Sequence, residues 1–349
     1  MKQKTIVLTG GGTAGHVLPA LALLPYLKSA FDEIHFIGSN TGYEQKLVGN
    51  LAVYHGIDAV KLVRGNPFKA LPVPFKLMKA KRQAAELLES IKPDVIFSKG
   101  GYVALPVVLA SRDIPVYLHE SDLSMGLANK LSLKKCRRVF TSFDSYDLEK
   151  AVYTGSPIRR SIYEGNAARA ASECGFGCQK PVLLIMGGSS GAKAINDCVF
   201  GCAERLTVDY DVVHVTGEKQ PSPVKTSGYY SIGYTDRIAD FLALASMVVS
   251  RGGSGALFEL MALRKPTLII PLPKGNSRGD QVENAEYFTS RGAAITLAQS
   301  ELTADTLMTS LKLLRSGKDA LLDGMASLVK VDGTKEIARI IIEEVCNEK

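Results

Sequence analysis

Residues Thr5–Thr9 read TIVLT and run into Gly10-Gly11-Gly12-Thr13-Ala14-Gly15-His16, after which a helical pattern continues through Ala30. A short β-branched apolar run, a glycine turn and a helix start form the opening half of a βαβ unit. The design returns at Pro181–Met186 (PVLLIM), followed by Gly187-Gly188-Ser189-Ser190-Gly191 and a second helix start. Outward from the first copy, strands are expected at 33–37, 94–98, 116–119 and 139–141. Outward from the second they are expected at 212–216, 247–250 and 267–270. The rhythm predicts an α/β protein of two Rossmann-like domains, each with a parallel sheet, facing a deep interdomain cleft. The pattern breaks near 154–162, at Gly155-Ser156-Pro157. The expected division is an N-terminal domain over 1–158, a C-terminal domain over 159–333 and a last amphipathic helix, 334–349, packing back on the first domain.

The 349 residues suffice for two domains with cores of their own. With 46% hydrophobic and 22% charged residues, collagen, coiled coil and wholesale disorder are excluded. No apolar run approaches the roughly 18 residues of a membrane span. The apolar stretch at residues 6–8 is far shorter than a signal-peptide core, so a cytosolic protein is expected. A net charge of +7 permits an anionic partner. With 7% aromatics the basic residues lack the interleaving of a nucleic-acid groove, and no nucleic acid is expected. The pairs Cys174/Cys178 and Cys198/Cys202 do not have zinc-knuckle spacing; they read as small apolar residues, with metal the alternative.

Gly10, Gly12 and Gly15 match the dinucleotide fingerprint GxGxxG, yet the second strand ends Ile37-Gly38-Ser39-Asn40 without the carboxylate that would hold a nicotinamide ribose. What survives is a general capacity: glycines let backbone N–H groups reach a phosphate at a helix start. His16 is either a helix-start histidine bonded to nearby backbone or a general base. Glu259, on the helix opened by Gly252-Gly253-Ser254-Gly255, offers two oxygens to a ribose diol, or is a favourable helix-terminal carboxylate. Gln281 and Asn284 share a helix face and can meet sugar hydroxyls or serve as caps. Around Asn66–Arg82 apolar residues alternate with lysines, and the prolines argue against one continuous helix. This stretch reads as a solvated helix over a core stripe, or as a patch for an anionic bilayer.

Seven segments in order resemble the MurG family of N-acetylglucosaminyltransferases, within glycosyltransferase family 28. They are Gly11–Val17 with Pro19-Ala20; Lys99-Gly100-Gly101-Tyr102; His119-Glu120-Ser121-Asp122 with residues 126–130; Gly155–Arg159; Gly187–Lys193; Ser254-Gly255-Ala256 with Glu259; and Gly279-Asp280-Gln281 with Asn284. The resemblance runs from about Lys4 to Ala294. It implies the GT-B fold, UDP-N-acetylglucosamine as donor, undecaprenyl-linked lipid I as acceptor, and no catalytic metal or cofactor. It implies inverting transfer to the C4 hydroxyl of N-acetylmuramic acid, giving lipid II.

By the same resemblance His16 is the leading base, with Glu120 and Asp122 as rivals or orienting groups. Thr13, Gly15, Arg159, Ser189, Ser190, Gly191, Glu259, Gln281 and Asn284 fall on the donor. Gly11, Gly12, Gly100, Gly101, Tyr102 and Asn129 fall on the acceptor pyrophosphate. Phe68, Leu71, Phe75, Lys76, Leu77, Met78, Lys79 and Arg82 match the family's membrane patch. A peripheral place on the cytoplasmic membrane face, and other cell-wall synthesis proteins as partners, are implied too. Three departures stand out: Ala14 where many members have Gly, Ser121-Asp122 in place of Gln-Asn, and Ser190 in place of Gln. Rival readings are a lipid glycosyltransferase with another acceptor such as diacylglycerol, a UDP-N-acetylglucosamine 2-epimerase, and an idle sugar-nucleotide binder.

Overall fold

The computed structural model describes residues 3–42, 44–61, 73–177, 179–188, 191–218, 220–275, 278–328 and 332–346. Phe68, Leu71, Cys178, Ser189 and Ser190 lie outside the described residues. The chain divides into two compact units, Met1–Arg159 with Val331–Lys349, and Arg160–Lys330.

The first unit is built on a seven-stranded sheet. Its strands are β1 (Thr5–Thr9), β2 (Glu33–Ser39), β3 (Val53–Ile57), β4 (Val95–Ser98), β5 (Val116–Glu120), β6 (Arg138–Thr141) and β7 (Ala151–Tyr153). They lie in the order β3-β2-β1-β4-β5-β6-β7, every pair parallel. The helices between them are α1 (Ala14–Ala22), α2 (Leu24–Leu27), α3 (Glu44–Val48), α4 (Val73–Ile91), α5 (Gly101–Ala110) and α6 (Leu127–Ser132). β1, β4 and β5 are buried at every residue, as a parallel strand covered on both faces must be. Alternation along β1 divides the core. Ile6 and Leu8 pack with Val17 and Leu27, while Val7 packs on the other face with Ala80, Ala84 and Leu88 of α4.

Ala14 opens α1 without a positive φ, so the missing glycine costs nothing there. Of the stretch expected not to form one continuous helix, residues 66–72 lie outside the described residues, and α4 begins at Val73. Pro74 is its second residue, where a missing N–H is harmless.

The second unit carries β8 (Val182–Met186), β9 (Asp211–Val215), β10 (Tyr229–Ile232), β11 (Met247–Ser250), β12 (Thr267–Ile269) and β13 (Ile295–Thr296). Their order is β10-β9-β8-β11-β12-β13, again all parallel. Counted from its own first strand, this repeats the first six positions of the other sheet. Its helices are α7 (Ala167–Cys174), α8 (Lys193–Asp209), α9 (Ile238–Leu244), α10 (Ser254–Ala262), α11 (Asp280–Ser290), α12 (Ala304–Ser316) and α13 (Lys318–Leu328). Helix α8 kinks at buried Cys202 (φ −129°), whose thiol is hydrogen-bonded to that of Cys198. The bond lowers the Cys198 thiol and raises that of Cys202. All described cysteines are free thiols.

The last helix, α14 (Gly333–Cys346), belongs to the first unit. Ile337, Ala338 and Ile341 join the core that holds Ile6, Leu8 and Phe36. Glu344 is the anchor: it accepts from Tyr117 Oη at 2.8 Å and pairs with Arg137 and Arg138 at 3.0 and 2.5 Å.

Candidate functional site

In a doubly wound parallel sheet the chain turns opposite ways from its first strand and from the neighbouring later one, which leaves a crevice at their carboxyl ends. Here the paired strands are β1 and β4 in one unit, β8 and β11 in the other. Both pairs end in the glycine loops read from the sequence.

In the first unit three adjacent strands deliver three loops to one edge: Gly10–Thr13 after β1, Lys99–Gly101 after β4, and Ser121–Gly126 after β5. Gly101 adopts φ +82°, and a Cβ there would lie 2.6 Å from the Gly11 carbonyl oxygen and 3.4 Å from His16 Cγ. The first loop and the His16 ring therefore pack on bare backbone. His16 sits in the first turn of α1, half-buried, with Nδ1 2.7 Å from Thr13 Oγ1. One of its partners is thus a side chain, the Thr13 hydroxyl.

Gly12, at φ +87°, lies against the Tyr102 ring, and its N–H donates to Glu44 Oε1 at 2.7 Å. Glu44 is fully buried, which no motif in the linear string signals. Burial and this carboxylate raise the Tyr102 and Tyr54 hydroxyls, the latter to about 12. The Gly12 N–H, expected to serve a phosphate, is thus committed to a protein carboxylate.

Glu120 is buried at the end of β5 and accepts from Asp122 N (3.1 Å), Gly126 N (2.8 Å) and Asn129 Nδ2 (2.9 Å). Asn129 also donates to His119 O and is buried, with its side chain against Gly100. Glu120 and Asn129 therefore shape the loop, while Asp122 is half-exposed on it. His119 is fully buried and held neutral: burial, then the Lys99 charge, pushes it well below the usual imidazole range. Lys99, 2% exposed, was passed over because spacing says nothing about burial.

In the second unit Gly187 and Gly188 follow β8, and Gly191 precedes α8. Behind them stands a neutral network. His214 bonds Asn196 Oδ1 at 3.0 Å and Tyr229 Oη at 2.7 Å, and Asn196 Nδ2 donates to Thr216 O at 2.8 Å. Desolvation lowers His214 to about 4. After β11, Gly252 N–H donates to Gln281 Oε1 at 3.2 Å; the same oxygen takes Leu272 N at 3.0 Å. Asn284 is fully buried and donates to Gly252 O at 3.1 Å. Gln281 and Asn284 share a face of α11 as expected, yet that face clamps the loop, and Asn284 meets backbone rather than presenting itself to solvent. Glu259 is half-buried on α10. Arg251, another residue the motif reading missed, is half-buried after β11 and donates to Ile270 O at 3.0 Å; burial lowers its guanidinium. Arg159 is half-exposed at the end of the first unit.

Of the basic apolar stretch, the described residues lie on α4. Phe75 and Met78 are 79% and 66% exposed among Lys76, Lys79, Lys81 and Arg82, while Leu77 is half-buried. Lys79 pairs with Asp58 at 2.8 Å and Arg82 with Glu86 at 3.6 Å. No described helix is long and apolar enough to cross a membrane, and no group of His, Cys, Asp and Glu among the described residues is arranged to hold a metal ion.

Two sheets of one winding, each ending in glycine loops at its switch point, are the frame of a GT-B glycosyltransferase. Residues 6–141 match the glycosyltransferase family 28 N-terminal domain and residues 182–340 the glycosyltransferase family 28 C-terminal domain, so the chain belongs to that family. It is 42% identical over 349 residues to the UDP-N-acetylglucosamine–N-acetylmuramyl-(pentapeptide) pyrophosphoryl-undecaprenol N-acetylglucosamine transferase of Lachnospira eligens, covering 97% of this chain and 99% of that one. The enzyme of the same name from Lachnoclostridium phytofermentans is 41% identical, over 98% and 99%. Among solved structures, Acinetobacter baumannii MurG superposes with a TM-score of 0.73 at 23% identity, over 97% and 99% of the two chains.

Proposed function

We infer that this chain transfers N-acetylglucosamine from UDP-N-acetylglucosamine to lipid I, making the β-1,4-linked lipid II of peptidoglycan synthesis. The observation that carries the reading is end-to-end similarity, at 42% identity, to a transferase named for that donor and acceptor. The acceptor C4 hydroxyl oxygen attacks C1 of the donor sugar as the C1–O bond to UDP breaks, and UDP leaves with the bonding electrons. His16 takes the hydroxyl proton on Nε2. That role needs the tautomer with Nδ1–H donating to Thr13 Oγ1, 2.7 Å away. Asp122 is the half-exposed rival base, and Glu120 orients the loop that carries it.

On the donor side Glu259 holds the ribose diol. Gly187 and Gly188, with Arg251, offer N–H groups and positive charge to the departing diphosphate, while the Gly191 N–H closes the turn on Gly188 O at 3.0 Å. Gln281 reaches the sugar through its amide nitrogen, since its oxygen is spent on Gly252 and Leu272. The exposed Phe75 and Met78 with their lysines dock on an anionic membrane surface on the cytoplasmic side, bringing the enzyme to its lipid substrate.

Incubation with labelled UDP-N-acetylglucosamine, with and without a lipid I analogue, tests this. Label entering the lipid only with acceptor is the expected result. Epimer formed without acceptor, or donor bound and never transferred, would overturn it. For the membrane patch, Phe75→Ser is expected to weaken binding to anionic vesicles several-fold and leave turnover of a short-chain soluble acceptor unchanged. Unaltered vesicle binding would remove the patch.

A further inference from the structure

Lys99 stands between the first two loops of the N-terminal unit without a part in the chemistry above. Its backbone N–H donates to Thr9 O at 2.8 Å, and a Cβ on Gly10 would lie 3.2 Å from its own Cβ. The side chain is almost wholly buried, and its Nζ donates to Ser121 Oγ on the loop after β5. A buried ammonium is costly unless its surroundings compensate it. Glu120 and Asp122 favour the charged form against burial, and neutral His119 lies near. The Glu120 oxygens, however, are occupied by two backbone N–H groups and Asn129.

The direction of the Lys99–Ser121 bond is fixed by chemistry. An ammonium has donors and no lone pair, so the serine oxygen must accept. The serine proton then points elsewhere, and among the described residues the hydroxyl has no second partner. Ser121 is half-buried, on the edge that also carries Gly101, Tyr102 and His16. A hydroxyl polarised from behind by a cation is a strengthened donor, and an anionic oxygen is the acceptor it suits best. The Gly12 N–H is already spent on Glu44, which leaves this edge in need of another anion donor.

We propose that Ser121 donates its hydroxyl to the anionic pyrophosphate of the acceptor, and that Lys99 is the positioning residue that orients and polarises it. The positive charge reaches the ligand through a serine, with the ammonium sheltered from solvent. The proposal rests on the acceptor reading above and adds to it two residues in named roles.

The test measures kcat and both KM values for the wild type, Ser121→Ala, Ser121→Thr, Lys99→Met and the Lys99/Ser121 double variant, with UDP-N-acetylglucosamine and a short-chain lipid I analogue. Losing a hydrogen bond to a charged group predicts a roughly 10- to 100-fold rise in acceptor KM for Ser121→Ala, with donor KM within about twofold. Ser121→Thr restores the wild-type value, and the double variant is no worse than the worse single one. An acceptor KM unmoved by Ser121→Ala, an equal rise in donor KM, or a threonine variant as poor as the alanine one would overturn it. Should Lys99→Met not fold, the two serine variants decide alone. Calorimetric binding of inorganic pyrophosphate is read in parallel: the wild type binds and Ser121→Ala binds at least tenfold more weakly. That arm keeps the two ideas apart, because a wild type that transfers nothing to the analogue sinks the acceptor reading, whereas equal pyrophosphate binding by wild type and Ser121→Ala sinks the role of Ser121.

Discussion

The two units share a strand order and hold their switch-point loops in opposite ways. In the first, the loops are tied by ionisable side chains taken out of water: Glu44 on Gly12, Glu120 on the β5–α6 loop, and Lys99 on Ser121. In the second most ties are neutral: Asn196 on Thr216, Gln281 on Gly252 and Leu272, and Asn284 on Gly252, with the Arg251 guanidinium on Ile270 O the charged exception. Amides satisfy lone pairs and N–H groups without the desolvation cost of an ion. In the first unit both Glu120 oxygens are engaged by N–H groups, whereas Glu44 takes the Gly12 N–H on Oε1 and its buried Oε2 has no hydrogen-bond partner among the described residues. One winding thus supports two electrostatic designs, and the loops, not the sheets, separate the chemistry of the halves.

Three experiments bear on that contrast, in falling order of effect. His16→Ala is expected to lower kcat by about 10²- to 10⁴-fold with donor KM nearly unchanged. Glu259→Ala is expected to weaken UDP binding instead, by about 10- to 100-fold. Steady-state kinetics and UDP titration separate the two, and a crossed result would erase the division of labour between the units.

Next comes acid stability. His214 titrates near 6.5 when unfolded and about 4 when folded, so its neutral network holds fully above pH 6.5. Between pH 6.5 and 4 the unfolded chain binds the extra proton, and stability falls by about 3 kcal/mol on this account. His119, also depressed, adds to the fall in the first unit. Denaturant titrations of wild type and His214→Gln across this range should show a shallower acid decline in the variant. Identical slopes would mean that the second unit does not depend on a neutral imidazole. Smallest is Asn284→Ala, expected to cost about 1–2 kcal/mol by denaturant titration, through an orphaned Gly252 carbonyl. A donor KM raised far beyond what that loss explains would return Asn284 to direct sugar contact.

What the sequence revealed follows the geometry of a sheet. Every interior strand was legible because a strand covered on both faces must be a continuous apolar run: TIVLT, VIFS, VYLHE, VLLIM, MVVS. The four strands that escaped, Val53–Ile57, Ala151–Tyr153, Tyr229–Ile232 and Ile295–Thr296, are the four sheet edges. Covered on one side, they carry mixed or very short sequences such as VYHGI and YYSI that no pattern distinguishes from loop. The site divides in the same manner. Glycine loops announce themselves by composition, so Gly12, Gly101 and Gly187 were found at once. Lys99, Glu44 and Arg251 look like surface residues in a linear string, and only the fold takes them out of water. Asn284 was visible as a motif member, but its burial was not.

Helix α14 has a consequence for the protein as it is made. The chain leaves its first unit at Arg159, completes the second, and returns to supply Ile337, Ala338 and Ile341 to the core begun by Ile6 and Leu8. Domains ordinarily finish in the order they emerge from the ribosome. Here the half synthesised first must wait for helix α14, made after the whole second unit, its Phe36 face uncovered while the second half closes on its own. A chain cut off before Ile337 and released would carry a finished second unit beside a first one still exposing core, a natural client for a chaperone.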